Sequence, residues 1–308
     1  MIDMVKFYPL HKERFDFRIE KNGLMELTSP FNRETGEIQE FPKIGKYGNL
    51  EIRLTEKASF VKGSLHKFHN LAFYGEEHNH NDFSFCECYN AIEMICGKLG
   101  VTPNETKVTN LEFGLNIIVP QNPKLIIEDN ILMYDFADHT IHEKFGGKGD
   151  YKEFKKYDYS LKVYNKSKQY KIDGNILRIE IKIISKRKLH QLGIFSLKDL
   201  MEQKAYFALF DFLLEQFDKL MVVDSEMMQN TLRTPKSGSF GEYCNPHFWK
   251  VLKQLRSDKV YRRHIRDFSQ YSSKNGMDKT KIKVEELLRS KFYHLMNCYP
   301  ANNYQKVA

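Results

Sequence analysis

Cysteine is scarce in this chain of 308 residues, and no two cysteines form a Cys-x-x-Cys pair. The five that occur are Cys86, Cys88, Cys96, Cys244 and Cys298. An odd number without paired spacing argues against a disulfide framework and against a structural zinc site. We therefore expect all five thiols to be reduced and to lie in the core.

Long apolar runs are also missing. The longest, residues 205–214, is interrupted by Asp211, so no segment is expected to cross a membrane. The opening Met-Ile-Asp-Met-Val-Lys-Phe lacks the basic start and apolar core of a secretory signal, which predicts a cytoplasmic protein. Without a Walker loop or a Gly-x-Gly-x-x-Gly motif, nucleotide-driven chemistry has no support.

Positive charge is in excess. Lysine and arginine outnumber aspartate and glutamate by 48 to 40, which gives a net charge of +8 and a pI near 9.0. An excess of this sign favours a polyanionic partner through electrostatic attraction and counterion release. The length allows a sizeable core and two domains. We expect two unequal ones, residues 1–194 and residues 195–308.

Alternating apolar residues predict β-strands in the first two thirds of the chain. Candidates near the N-terminus are residues 4–10, 15–19 and 49–55. Between residues 85 and 99, apolar residues recur at every third or fourth position, which predicts an amphipathic helix that ends at Gly100. This mixture predicts an α+β fold with a central antiparallel sheet and flanking helices.

Three further strands place chemically useful side chains on polar faces. Residues 110–119, 159–166 and 176–184 carry Glu112, Tyr164 and Glu180, respectively. The last two segments are connected through an Asp-Gly turn, so one sheet would bring the three side chains to one surface. Carboxylates, a tyrosine and lysines suit metal-assisted attack on a phosphodiester. The alternative is an ordinary solvated face, since alternation always leaves some polar residues outside.

The most histidine-rich region contains His78 and His80. Because they are one residue apart, an extended backbone points both imidazoles to the same side, where they could hold one divalent ion. The alternative is a polar loop that caps the following helix through Asp82 or Ser84.

From residue 196 onward the pattern changes to helix. Apolar spacing predicts helices over residues 200–220, from Asn245-Pro246 onward, and over residues 281–297, with a joint at residues 234–241. The region after Trp249 is rich in basic side chains that could follow a phosphate backbone, although a solvated helix face is the alternative.

The order of several short segments resembles the gene II replication initiators of filamentous phages and their relatives in plasmids and other single-stranded-DNA phages. The segments are Met-Ile-Asp at the start, Leu50-Glu-Ile-Arg, Ser64-Leu-His-Lys67, His78-Asn79, Asn110-Leu-Glu-Phe, Leu161-Lys-Val-Tyr-Asn-Lys166 and Leu177-Arg-Ile-Glu-Ile-Lys. Their order and spacing within residues 1–220 carry the resemblance, and the block from Leu177 to Phe195 is the most specific.

This resemblance implies a rolling-circle nickase with an HUH-endonuclease-like fold. In such an enzyme a tyrosine attacks a DNA phosphodiester and leaves a 5′-phosphotyrosine and a free 3′-OH. Tyr164 matches the nucleophilic tyrosine, and Glu112 and Glu180 match acidic positions that look like ligands of Mg²⁺ or Mn²⁺. His78 matches a family histidine, whereas His80 is proposed as a ligand from spacing alone and His69 is a rival for the same role.

Further roles follow from this hypothesis. Lys166 would stabilise the phenolate or the charge on the phosphorus, and Tyr159 is the next candidate nucleophile. The predicted DNA contacts are Lys162, Arg178, Lys182, Arg256, Arg262, Arg263 and Arg266. Expected partners are origin DNA that is single-stranded at the nick site, and a bacterial host's polymerase and helicase. Two other classes stay open: a non-catalytic DNA-binding initiator or regulator, and a structural or host-interaction protein.

Overall fold

A large antiparallel sheet organises the chain. This computed structural model describes residues 1–138, 150–224 and 238–298. The strands are β1 (Ile2–Pro9), β2 (Leu27–Thr28), β3 (Lys43–Tyr47), β4 (Leu50–Leu54), β5 (Ser59–Ser64), β6 (Thr106–Ile118), β7 (Ile131–Tyr134), β8 (Tyr151–Lys155), β9 (Tyr159–Asn165), β10 (Ile176–Ile183) and β11 (Leu220–Val222). Nine of them form one sheet in the order β2-β3-β4-β5-β1-β6-β10-β9-β8, and β7 pairs with β11. All neighbouring strands are antiparallel, as predicted.

Helices flank this sheet and dominate the C-terminal third. They are α1 (Lys12–Lys21), α2 (Leu65–Tyr74), α3 (Phe85–Leu99), α4 (Lys166–Tyr170), α5 (Lys186–Gln191), α6 (Gln203–Asp218), α7 (Gly238–Tyr243), α8 (Pro246–Leu255), α9 (Asp258–Lys274) and α10 (Lys279–Met296). The predicted helix at residues 85–99 is confirmed. Ser84 caps its start through a capping box with Glu87, and Gly100 ends it in the left-handed conformation.

Two apolar clusters lie around these elements. The main cluster contains the inward faces of β6, β9 and β10, including Leu115, Val163 and Ile179, together with the buried sides of α3 and α6. A second cluster around Trp249 and Phe268 joins α7, α8 and α9 to the β7-β11 pair. The mainly helical C-terminal region is therefore confirmed.

The last helix, α10, returns to the main cluster rather than joining the second one. Val284, Leu288 and Phe292 are buried there against α6 and neighbouring elements. Residues 195–308 thus contribute to both cores. The division into two domains at residue 194 stays a prediction.

Two secondary-structure predictions are corrected. Residues 15–19 are helical rather than extended, because Phe15 and Ile19 are four positions apart and both bury the same face of α1. Lys166 begins a helix rather than continuing a strand. The Asn165 side chain accepts a hydrogen bond from the Lys168 N–H at 3.0 Å and so caps α4.

The expectation that all cysteines are reduced is also corrected. Cys86, in the first turn of α3, and Cys298, just after α10, form a disulfide. These residues are 212 positions apart, so sequence spacing carries no sign of the pair, which arises because α10 packs near α3. Cys88, Cys96 and Cys244 are free, as predicted.

The helices that the structure describes include none with the length and apolar character needed to cross a membrane. The first half of the predicted joint, residues 234–237, lies outside the described residues, and the second half, residues 238–241, belongs to α7.

Packing of α10 on the main core generates a stability prediction. Phe292 is fully buried and stacks on Phe210 with ring centroids 4.0 Å apart. We expect Phe292→Ala to lower the free energy of unfolding by about 3–5 kcal/mol through lost burial and a cavity. The neighbouring Tyr293 is 57% exposed, so Tyr293→Ala should change it by about 0.5 kcal/mol or less. Urea unfolding of both variants tests this, and equal effects would contradict the packing of α10.

Candidate active site

Strand register gathers the predicted carboxylates and tyrosine on the polar face of the sheet. In the β6-β10 pair, Glu112 lies opposite Lys182 and Gly114 lies opposite Glu180. In the β10-β9 pair, Glu180 lies opposite Lys162, and Arg178 lies opposite Tyr164. The structure therefore places Glu112, Glu180 and Tyr164 on one surface.

A third carboxylate, which the sequence did not single out, comes from β1. Ligand oxygens of Asp3, Glu112 and Glu180 all lie within 4.8 Å of one another. The register of β1 on β6 shifts between Ile2 and Val5, where Asp3 lies. Among the described residues this is the one group of three or more potential metal ligands, and it contains no histidine.

Three cations contact these carboxylates. The Lys162 ammonium lies 2.8 Å from Glu180 Oε1 and 3.0 Å from Glu112 Oε1. Arg178 donates from Nε to Glu180 Oε2 at 2.8 Å, and its Nη2 lies 3.7 Å from Asp3 Oδ2. Lys182 contacts Glu112 Oε1 at 3.2 Å from the outer side. Three negative charges are thus matched by three positive charges in a largely buried layer.

The pKa shifts follow from this arrangement. Burial opposes the ionised form of Glu180, but Lys162 and Arg178 outweigh it and lower the pKa of that carboxyl. Burial likewise opposes the charge on Lys162, but Glu180 and Glu112 raise the pKa of its ammonium. Burial and the adjacent Glu180 raise the pKa of Glu112 by more than Lys162 and Lys182 lower it. The two glutamates therefore differ: Glu180 is held ionised and Glu112 binds a proton more readily.

Gly114 makes this close arrangement possible. A Cβ at this position would lie 2.6 Å from the Ile179 carbonyl oxygen and 2.8 Å from the Glu180 Cβ. A side chain at residue 114 would therefore push against the strand that carries Glu180.

The Tyr164 hydroxyl donates a hydrogen bond to Glu180 Oε2 at 3.4 Å. Burial and the Glu180 charge raise the pKa of this phenol well above its usual value. Lys166 is only 1% exposed, and its ammonium lies 5.4 Å from the Tyr164 ring centroid. Burial and the nearby Arg178 lower the pKa of Lys166 to about 7. The Lys166 amine, whose pKa is lowered, thus lies near the Tyr164 ring, whose phenol has a raised pKa.

The segment that contains His78 and His80 reaches this site through Asn79, the residue between them. Asn79 donates from Nδ2 to Asp3 Oδ2 at 2.5 Å, and its Oδ1 accepts from Lys166 at 2.7 Å and from the Tyr170 hydroxyl at 2.5 Å. The His78 and His80 rings lie together, 4.2 Å apart. In an extended backbone, successive side chains point to alternate sides. His78 and His80 therefore share one side, and Asn79 between them points to the other side.

The predicted histidine ligands therefore lie outside the carboxylate group. His78 Nε2 contacts Glu76 at 3.2 Å, and the His80 ring lies 5.0 Å from the Tyr170 ring. His69 is buried among aromatic side chains of α2 and Phe83.

Sequence reasoning missed three site residues: Asp3, Asn79 and Tyr170. Asp3 belongs to the Met-Ile-Asp segment and Asn79 to the His-Asn segment of the resemblance, which is the signal that could have found them. Tyr159, the alternative nucleophile, packs on the core side instead. Its hydroxyl donates to Gln216 at 2.8 Å, and its ring contacts Phe212.

A cleft of about 640 Å³ opens over this layer. Its lining includes the three carboxylates, three tyrosines (Tyr151, Tyr164 and Tyr170) and five lysines (Lys67, Lys162, Lys166, Lys168 and Lys171). Lysines suit phosphate groups, and aromatic rings suit stacked bases. The lining therefore offers groups that suit phosphates and groups that suit bases.

The carboxylate group also fits a divalent ion. Its donors are carboxylate oxygens, which Mg²⁺ and Mn²⁺ prefer. The Lys162 ammonium already bridges Glu112 and Glu180, as a cation would. Asp3, Glu112 and Glu180 could therefore hold such an ion in place of the ammonium.

The predicted DNA contacts fall into two locations. Arg178 is buried beneath the cleft, where it contacts Glu180 and Asn116 and does not reach the surface. Its role as a DNA contact stays a prediction, and in the structure β10 turns its side chain toward the carboxylates. Lys162 and Lys182 lie at the same layer. The arginines of the C-terminal region are exposed on and beside α9: Arg256, Arg262, Arg263 and Arg266.

No protein-family model matches this chain, and no curated protein matches it. Among solved structures, the rolling circle replication initiator protein from Geobacillus stearothermophilus is similar. It is 11% identical, with a TM-score of 0.36, and the match covers 65% of this chain and 78% of that chain. At this similarity the match supports no inference about function. The functional proposal therefore depends on the site itself.

The ion-pair layer generates a pH prediction. Because the folded-state pKa of Glu180 is lowered, its stabilising effect is present above the unfolded-state pKa of about 4.3 and is lost as pH falls toward the folded-state value. Glu180→Gln should lower the free energy of unfolding at pH 7 by about 3–5 kcal/mol, since it leaves Arg178 and Lys162 without a full counter-charge. The difference from wild type should shrink below about pH 4.3.

Glu112→Gln is the matched control. Because the pKa of Glu112 is raised, its ionised form is disfavoured in the folded protein. Its ionisation therefore lowers the free energy of unfolding, and this loss grows as pH rises, which is the opposite of the effect of Glu180. The variant should be at least as stable as wild type at pH 7. Urea titrations at pH 7 and pH 3.5 measure both, and a pH-independent loss for Glu180→Gln would contradict the assignment.

Proposed function

We propose that this chain initiates rolling-circle DNA replication by nicking and religating origin DNA through Tyr164. The observation that carries the proposal is the Tyr164 hydroxyl beside Glu180 at the floor of a lysine- and tyrosine-lined cleft. The segment order that resembles phage gene II initiators supports the same reaction.

Substrate binding is assigned to the cleft walls. Lys67, Lys168 and Lys171 line the opening and would contact phosphates of one strand, while Tyr151 and Tyr170 offer rings for stacking. A single strand fits this lining because its bases are free to turn toward the rings. Origin DNA that is single-stranded at the nick site is therefore the proposed substrate.

Nucleophilic attack requires Tyr164 to lose its proton. The Lys166 amine, with a pKa of about 7, is partly neutral at physiological pH and would accept that proton. Arg178, opposite Tyr164 in the β9-β10 pair, would stabilise the phenolate. The phenolate oxygen then bonds to phosphorus, and the bond from phosphorus to the 3′ oxygen breaks.

The leaving 3′ oxygen departs on the side of phosphorus opposite the phenolate and takes a proton from solvent. The products are a 5′-phosphotyrosine and a free 3′-OH that a host polymerase could extend while a helicase unwinds the duplex. The tyrosyl ester conserves the bond energy, so the reverse attack by a 3′-OH religates the strand.

A divalent ion, Mg²⁺ or Mn²⁺, is part of the proposal. Asp3, Glu112 and Glu180 would hold it, and when bound it would supply charge neutralisation at the scissile phosphate. The predicted histidine ligands are not needed for this set, and Asp3 takes their place.

Trapping of a covalent adduct tests the proposal. Wild-type protein incubated with a single-stranded oligonucleotide carrying the cognate origin and Mn²⁺ should form a protein–DNA adduct, whose mass maps to Tyr164. Tyr164→Phe should reduce adduct formation by at least 10³-fold, on the order expected for loss of a nucleophile.

Tyr159→Phe and Tyr170→Phe are the controls, since Tyr159 lies on the core side and Tyr170 in the same cleft. Both should still form the adduct. An adduct in Tyr164→Phe that disappears in Tyr170→Phe would move the nucleophile to Tyr170 and overturn the assignment.

The second candidate function is a non-catalytic DNA-binding initiator or regulator. The exposed arginines of the α9 region favour it: Arg256, Arg262, Arg263 and Arg266 form no ion pair with any residue that the structure describes. Two other exposed arginines, Arg187 and Arg289, are paired with carboxylates. A helical face with exposed guanidinium groups is typical of phosphate binding.

Salt dependence tests this surface. For binding to duplex DNA, the plot of log affinity against log salt concentration has a negative slope. The Arg262→Ala/Arg266→Ala variant should reduce the magnitude of this slope by about 0.9 for each lost phosphate contact. Arg289→Ala, which removes an exposed arginine already paired with Glu285, should leave the slope unchanged. Equal slopes for all three proteins would exclude this surface as the DNA contact.

A further inference from the structure

We propose that Lys162 is a built-in counter-cation that competes with the divalent ion for Glu112 and Glu180, so that metal binding must displace its ammonium. This inference rests on the proposed function, because it concerns the metal that the nicking reaction would use.

The contacts single out Lys162 among the three cations. Its ammonium bridges the Oε1 atoms of Glu112 and Glu180, whereas Arg178 holds the other oxygen of Glu180. Lys182 touches Glu112 alone and is 34% exposed. Lys162 is 13% exposed and reaches the carboxylates from β9. It is the cation that lies between the two glutamates.

Electrostatics makes the two occupants exclusive. An ammonium and a divalent ion that contact the same oxygens would repel strongly in a partly buried site. Removing the ammonium without a replacement is also unfavourable, because it leaves neighbouring carboxylates short of counter-charge. The site is therefore stable with either cation, and the apparent affinity for the metal is lowered by the cost of displacing Lys162.

This arrangement predicts a gain of metal affinity from a loss of charge. Lys162→Met should bind Mn²⁺ at least about tenfold more tightly than wild type, by calorimetric titration of the full chain at pH 7. Lys162→Arg keeps the positive charge and should not bind more tightly. Lys182→Met removes the outer contact alone and should change the affinity much less.

Thermal unfolding gives a second readout that does not depend on activity. Without metal, Lys162→Met should melt below wild type, and Mn²⁺ should raise its melting temperature by more than it raises that of wild type. If the methionine variant folds poorly, both measurements can be made on Lys162→Gln, which carries an uncharged polar side chain.

Equal Mn²⁺ affinity for wild type and Lys162→Met would overturn the inference. So would tight binding that persists in Lys162→Met/Glu180→Gln, since the ion would then lie elsewhere. The adduct assay separates this failure from that of the proposed function. A wild-type adduct with unchanged affinity in Lys162→Met refutes the role of Lys162 alone. Tighter binding in Lys162→Met without any wild-type adduct supports that role and refutes nicking.

Discussion

Charge balance on the polar face of β10 is the constraint on which the site depends. Glu180 lies between Arg178 and Lys162, and both cations hold it ionised although it is 2% exposed. Burying ions is costly unless each has a close partner with good geometry. The layer meets this requirement by drawing partners from neighbouring strands, which positions Glu112, Asp3 and Lys182 around the same centre.

The same sheet performs two physical tasks through the alternation of its side chains. Its inward face packs leucine, isoleucine and phenylalanine into the main core, and α10 covers part of that core from the end of the chain. Its polar face carries the ion pairs and the cleft. A one-residue shift of β10 would exchange these faces, so the apolar core holds the charged layer in register.

Loops and caps explain where sequence reasoning departed from the structure. The pattern around residues 78–80 correctly placed the two imidazoles on one side, yet Asn79 on the other side enters the site. Lys166 reaches Tyr164 from the first turn of α4 rather than along a strand, because Asn165 caps that helix. In each case the local pattern was informative, whereas the partner that the side chain meets is distant in sequence: Asp3 for Asn79, and Asn79 for Lys166.

The amino-acid sequence by itself determined the α+β class, the strands β6, β9 and β10, the helix α3 and the polar faces that carry Glu112, Tyr164 and Glu180. It could do so because the period of apolar residues is a local property of the chain. Only the tertiary structure decided that Asp3 joins the carboxylate group and that Arg178 is buried. It also decided that the predicted histidine ligands lie outside that group and that Cys86 forms a disulfide with Cys298. These outcomes depend on strand order, on a register shift in β1 and on the return of α10, and none of the three is written in local spacing.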